Sequence, residues 1–309
     1  MNKIKIIFLI LTFPLVCKGQ MKNYEFNKND LVNYKKIIAN QIDYYQENDS
    51  SMRQSIYYLD KKGNIIKSES FENDTLRHYA INDFDTKGRI ISHKSYFEIY
   101  TYNEDIGDHT PEWNDKYYNG SDFIYNEDQL IEERIFNYVD GEKSYDYIYK
   151  FKYDKDGKLI NTQFIDLYKG LTGTFLPNTA IIDSLFNKED ITITNTYYEY
   201  RNDSVIGINY GTKNIITGYE FEILNENGLP IEFQSADSEG SVYIIYRSRY
   251  NELNKLIEKS REIIDYSKIN YDLTAEDNYV IKYNQNGLPE SGISYWKGEI
   301  ISKRTLKYE

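Results

Sequence analysis

The chain has 309 residues, with 37 basic and 49 acidic side chains for a formal charge of −12, 33 tyrosines and a single cysteine. Such an acidic balance argues against nucleic acid and anionic membrane surfaces as partners. One cysteine excludes a disulfide framework, so stability must come from burial and strand pairing, for which the length suffices.

Lys3 and Lys5 precede an apolar run from Ile6 to Val16, which Cys17, Lys18, Gly19 and Gln20 follow. The run is too short to span a bilayer and reads as a secretory signal over 1–19, with Cys17 and Gly19 as the small residues before a cut at Gln20. The competing reading lipidates Cys17, but Pro14, Leu15 and Val16 fit a lipobox poorly. The expected product is residues 20–309, periplasmic, surface-exposed or secreted, without a further transmembrane segment. It carries 34 basic and 49 acidic residues, a net charge of −15.

Residues 31–46 fit both a helical stripe (Leu31, Tyr34, Ile38, Ile42, Tyr45) and strand alternation, and we expect a short helix or turn followed by a strand from about Lys36. Beyond them one pattern recurs as LDKKGNII (59–66), FDTKGRII (84–91) and YDKDGKLI (153–160), with looser copies LNENGLPI (224–231), YNELNKLI (250–257) and YNQNGLPE (283–290). Each is a hairpin written in turn chemistry. Asp or Asn caps the backbone two residues on, and Gly63, Gly88, Gly157, Gly228 and Gly287 accept the left-handed conformation of a bulge, with Asn254 standing in once. Shorter turns, ENDTL (72–76), NEDQL (126–130), VDGEK (139–143), RNDSV (201–205) and WKGEI (296–300), fall between them.

Alternation of the two turn kinds predicts an all-β fold: an up-and-down antiparallel meander of roughly fifteen strands, coiled or partly closed, with one or two short helices. Tyr149, Phe151 and Tyr153 share one strand parity and Lys150 and Lys152 the other. The segment 166–191 breaks the rhythm. It marks an insertion between two lobes, 36–165 and 192–309, and Asn178 is positioned to cap a short helix reaching Asn187. Tyrosine suits a thin sheet, its ring buried and its hydroxyl wet.

The segments YDKDGKLI and FDTKGRII resemble the YD repeats of Rhs-type proteins, a likeness extending over most of 55–309. In that family many repeats wind into a shell around a C-terminal toxin. Here the repeats are few and the chain ends on the strand-like ISKRTLKYE, so the resemblance implies hairpin architecture without toxin delivery.

Candidate chemistry is sparse. DKDG at 154–157 lacks the spacing of a calcium loop, since Gly157 is fourth and Ile165 twelfth. The densest stretch is 103–115, where Asp105, Asp108, His109, Glu112, Trp113 and Asp115 crowd together. Carboxylates and an imidazole this close suit a cation, and tryptophan suits a sugar ring. Asp108, His109, Glu112 and Trp113 are the candidate binding residues; the alternative is a solvated loop with Trp113 packed on the sheet. His78 and His93 read as solvated or hydrogen-bonded strand residues. No GxSxG, HExxH or Walker-type loop occurs, and no catalytic residue, metal ligand or cofactor is assigned.

The leading expectation is a non-catalytic exported β-repeat protein that binds a glycan, peptide or protein at the cell envelope through a curved sheet face or its long loops; exposed tyrosine rings on one sheet face would make a platform for such a ligand. One alternative is a hydrolase of envelope polymers using carboxylates of 105–115. Another is a protective partner of a toxin or envelope protein, pairing through a strand edge.

Overall fold

The computed structural model describes residues 28–45, 49–103, 108–167, 192–268 and 278–309. The signal segment, residues 168–191 of the segment 166–191 and the helix expected from Asn178 lie outside them. A one-turn helix α1 (Lys28–Leu31) leads into β1 (Lys36–Tyr45), as expected for this stretch. The first half continues through β2 (Asp49–Leu59), β3 (Ile65–Glu72), β4 (Thr75–Phe84), β5 (Ile90–Asn103), β6 (Asp108–Asn126), β7 (Gln129–Val139), β8 (Glu142–Tyr153) and β9 (Leu159–Asp166). The second comprises β10 (Thr192–Tyr200), β11 (Ser204–Tyr210), β12 (Ile216–Leu224), β13 (Pro230–Asp237), β14 (Val242–Tyr250), β15 (Leu256–Ile263), β16 (Asn278–Tyr283), β17 (Pro289–Trp296) and β18 (Glu299–Tyr308).

Each strand pairs antiparallel with its neighbours in sequence, so the meander is as expected. The sheet, however, is neither coiled nor partly closed. β1 pairs with β18, from Ile37 against Tyr308 to Asp43 against Ser302, and completes an 18-stranded barrel. Closure satisfies the backbone groups that two free edges would leave open, and an even strand number lets an up-and-down chain close antiparallel. β9 and β10 pair as well, Asp166 against Thr192, so both halves belong to one sheet.

The repeats sit at one rim. All six connect an even strand to the following odd one, so the chain makes the same turn at the same end each time. In the copy after β8 the N–H groups of Asp156 and Lys158 both donate to Asp154 Oδ1 at 2.9 Å, and the Gly157 N–H donates to the Asp154 carbonyl at 3.1 Å. Asp60, Asp85, Asn225, Asn251 and Asn284 accept the equivalent bond from the residue four positions on. Gly157 has φ +78° and Asn254 has φ +59°, the left-handed backbone that the turn requires. The pairing register shifts beside each of these turns, as at Lys152/Tyr153 and Lys282/Tyr283.

The register also divides the barrel wall into two faces. Ala39, Ser55 and Ser70 stand opposite one another on β1, β2 and β3, and following that parity around the closed sheet reaches the buried polar residues Asp43, Ser95, Ser121, Asp166, Glu222 and Ser294. Side chains on a concave face converge, and we assign this parity, which gathers these buried polar groups, to the inner wall; on β7 to β9 the other parity also holds fully buried side chains, Phe136, Ile148 and Ile165. Near the repeat-bearing rim the inner wall is apolar. One cluster joins Phe123, Leu130, Phe151, Leu159, Tyr198 and Val205, and a second joins Leu31, Ile37, Leu59 and Leu288, so that α1 packs on the wall beside the seam. Each such side chain contributes about 1.5–3 kcal/mol by burial.

The outer wall carries the other parity. Tyr79, Tyr96, Tyr118 and Tyr138 oppose one another on β4 to β7, with ring centroids 4.4, 4.9 and 4.5 Å apart in succession. Their faces are turned toward one another, the ordinary cross-strand packing of aromatic residues.

Candidate functional site

Away from the repeat-bearing rim the inner wall turns polar, and small side chains leave a hollow. Ala39, Ser55 and Ser70 form its floor across three adjacent strands; the Ser55 and Ser70 hydroxyls are 3.4 Å apart. Gln41, Arg53, Tyr57, Glu72, Arg77 and Arg304 stand around it and enclose about 390 Å³. Three of these side chains are cationic and one is anionic.

Carboxylates hold Arg53 and Arg77. Arg53 Nε donates to Asp43 Oδ2 at 2.5 Å, and Gln41 Nε2 donates to the other oxygen of the same buried Asp43 at 2.7 Å. Arg77 Nη1 donates to Glu98 Oε2 at 2.5 Å, and Arg77 Nε lies 3.7 Å from Glu72 Oε2. Arg304 Nη2 donates to the Tyr57 hydroxyl at 3.1 Å. The register sets this row, because Arg304 opposes Gln41, Gln41 opposes Arg53 and Arg53 opposes Glu72 around β18, β1, β2 and β3. Charge-assisted bonds to shielded carboxylates hold the Arg53 and Arg77 guanidinium groups in place.

Beside the hollow, Ser70 opposes His78, whose Nε2 lies 2.6 Å from Ser95 Oγ. His93 Nδ1 lies 2.7 Å from Asn82 Oδ1. Burial pushes both imidazoles below the usual histidine range, with His93 adding repulsion at His78, so both are neutral near pH 7. The hydrogen-bonded histidines match the sequence expectation.

Farther around the inner wall, Glu220 and Glu222 are two residues apart on β12. Burial first, then repulsion from Glu220, raises Glu222 to about 7, and burial also raises Glu220. One oxygen of each is buried without a hydrogen-bond partner. Nothing in the sequence set this pair apart among 49 acids.

Asp108, His109, Glu112 and Trp113 belong to β6 rather than to a loop, paired with Asn103, Tyr102, Ile99 and Glu98. β5 and β6 are joined at the rim opposite the repeats. Their side chains lie outside the described part. Sequence reasoning missed the hollow, since Ala39, Ser55 and Ser70 form a floor only once three registers are known. Among the described residues no group of three potential metal-ligating side chains occurs, and no helix is long and apolar enough to cross a membrane.

No protein-family model matches the chain, and no curated protein matches it in sequence. Among solved structures it is similar to a porin-like protein from Bacteroides uniformis, at 9% identity and a TM-score of 0.37, over 90% of this chain and 97% of that one. It is also similar to the TcdB2-TccC3-TEV structure at 9% identity and a TM-score of 0.20, over 82% of this chain and 14% of that one. The same assembly without its hypervariable C-terminal region gives 7% identity and a TM-score of 0.18, over 84% and 23%. The chain thus spans a small part of those two.

Proposed function

We propose that this is an exported, non-catalytic binding barrel that holds a glycan or peptide of the cell envelope on its inner wall. The observation that carries this reading is the polar hollow over Ala39, Ser55 and Ser70, built of small side chains and rimmed by oriented donors. Sites of this kind combine concave shape with a few placed polar groups. The outer wall supports an aqueous setting. Lys67 and Glu69, Glu132 and Arg134, and Arg247 with Glu232 and Glu262 form ion pairs on it, where a membrane-spanning barrel carries an apolar band.

The test is a thermal-shift screen of soluble oligosaccharides and short peptides against the protein and its Ser55→Leu variant, whose larger side chain fills the hollow. We expect a member of the panel to raise the unfolding temperature of the parent protein and to leave the variant unmoved. A panel that shifts neither protein, or both equally, contradicts the reading.

A further inference from the structure

We propose that Tyr79, Tyr96, Tyr118 and Tyr138 form an oxidative modification site, at which a peroxidase and hydrogen peroxide couple neighbouring rings into dityrosine and staple β4 to β5 and β6 to β7. The four rings stand on the other wall from the hollow, one from each of four adjacent strands and each directly opposite the next. Side chains so opposed have Cβ atoms about 4.5–5.5 Å apart, and rings extending straight from the sheet keep a similar spacing. Their centroids are 4.4, 4.9 and 4.5 Å apart in succession. The first and last pairs are the flattest, with planes 9° apart at Tyr79 and Tyr96 and 21° apart at Tyr118 and Tyr138, against 35° at Tyr96 and Tyr118. Two other tyrosine pairs meet less closely: Tyr34 and Tyr308 are tilted by 57° at 5.3 Å, and Tyr197 and Tyr210 meet edge-on at 5.6 Å.

All four side chains are partly exposed, so an oxidant reaches them from solvent. Burial, then the neighbouring phenols of Tyr96 and Tyr138, raise the Tyr118 hydroxyl above the usual tyrosine range, and it starts as the neutral phenol near pH 7. Oxidation of a tyrosine removes one electron and the phenolic proton and leaves a radical shared between the oxygen and the ortho carbons. Two such radicals on neighbouring rings join by a bond between ortho carbons. The hydrogens on those carbons then leave as protons and the oxygens take up two, restoring both phenols. The pair has lost two electrons and two protons in all. Hydrogen peroxide accepts them, its O–O bond breaking to give two waters, while the peroxidase passes the electrons singly. Rings already face to face reach the bond by rotating about their own side-chain torsions, and holding reactants together favours coupling within the row over coupling between chains. The chain has one cysteine, so no disulfide forms within it, and dityrosine is a covalent staple that its side chains allow.

The experiment is oxidation of the dilute full chain by a haem peroxidase with limiting hydrogen peroxide, in buffer and in concentrated urea. Dityrosine fluorescence and mass spectrometry of the digested chain read the outcome. We expect the monomer in buffer to yield two linked peptide pairs, Tyr79 with Tyr96 and Tyr118 with Tyr138, each two hydrogens lighter than its parts, and urea to abolish this preference. Tyr96→Phe should lose the first link and keep the second, Tyr118→Phe should do the reverse, and Tyr210→Phe should keep both. The comparison of buffer with urea needs no variant, so it decides the matter even if a substituted chain folds poorly. The same spread of links in buffer as in urea overturns the proposal, as does dityrosine that is absent, confined to tyrosines outside the row, or found only between chains.

Discussion

The hydroxyl of Tyr153 donates to the backbone carbonyl of Leu130 at 2.9 Å, tying the last residue of one strand to the first turn-proximal residues of its neighbour. The bond recurs around the repeat-bearing rim. Tyr200 donates to Leu159 at 2.9 Å, Tyr250 to Pro230 at 3.0 Å, Tyr283 to Leu256 at 2.7 Å and Tyr308 to Pro289 at 2.6 Å. Hairpins that follow one another in sequence are thus joined at a rim where no covalent turn connects them. The aromatic of the repeat is a clamp, and its hydroxyl is not left to solvent as its composition suggested.

Tyr283→Phe removes one clamp while keeping the ring. We expect a loss of about 1 kcal/mol, the net worth of one hydrogen bond. Equilibrium urea unfolding measures it. The same rim position is Leu59, Phe84 or Leu224 in other hairpins, which shows that the ring position tolerates loss of the hydroxyl.

Glycine serves two different ends here, and substitution separates them. Gly228 has φ +71° with open space where a Cβ would stand, so Gly228→Ala should cost about 1 kcal/mol from backbone strain alone. Gly120 lies within β6, where a Cβ would run into the carbonyl of His93 on β5. Gly120→Ala should cost more than Gly228→Ala and disturb β5–β6 pairing. Thermal unfolding orders the two, and amide exchange at His93 locates the second effect.

Deleting residues 302–309 tests closure. The truncation removes the whole β1–β18 register, together with Leu306 and Tyr308, which pack on the cluster of Leu31, Ile37, Leu59 and Leu288. Two long strand edges are then exposed, and such edges pair with other chains. We expect the shortened protein to form oligomers or aggregates in size-exclusion chromatography. A stable monomer of unchanged strand content would show that the seam is dispensable.

Why closure escaped the sequence is physical. The repeats specify local geometry, because Asp154 and Gly157 act within five residues, and the structure reproduces that geometry at every copy. Closure is a contact between Ile37 and Tyr308, residues at opposite ends of the chain, and neither carries a local mark of its partner. The strand number was undercounted because two turns of the same geometry depart from the motif: Gly211 stands where the capping Asp or Asn would, and Asp237, which accepts from the Glu239 and Ser241 N–H groups, lacks the flanking hydrophobic residues. The site suffered most. The sequence drew attention to 103–115 by density of chemistry, while the hollow arises from smallness at Ala39, Ser55 and Ser70, visible only after the registers align them.

The Glu220 and Glu222 pair makes stability depend on pH in a defined direction. Glu222 titrates near 7 in the folded chain, above its ordinary value of 4.5, so the native state holds the proton more tightly than the unfolded one. Its contribution is therefore fully present below about pH 4.5 and is lost as pH rises through about 7. Asp146, raised to about 6 mainly by burial, acts in the same sense. Glu222→Gln keeps the shape and removes the charge. We expect the variant to be roughly 1–3 kcal/mol more stable than the parent at pH 8 and to converge with it near pH 4. Denaturant unfolding across that range decides the matter: parallel curves for the two proteins would mean that Glu222 is ionised and solvated in the native barrel, with its buried oxygen reached by water.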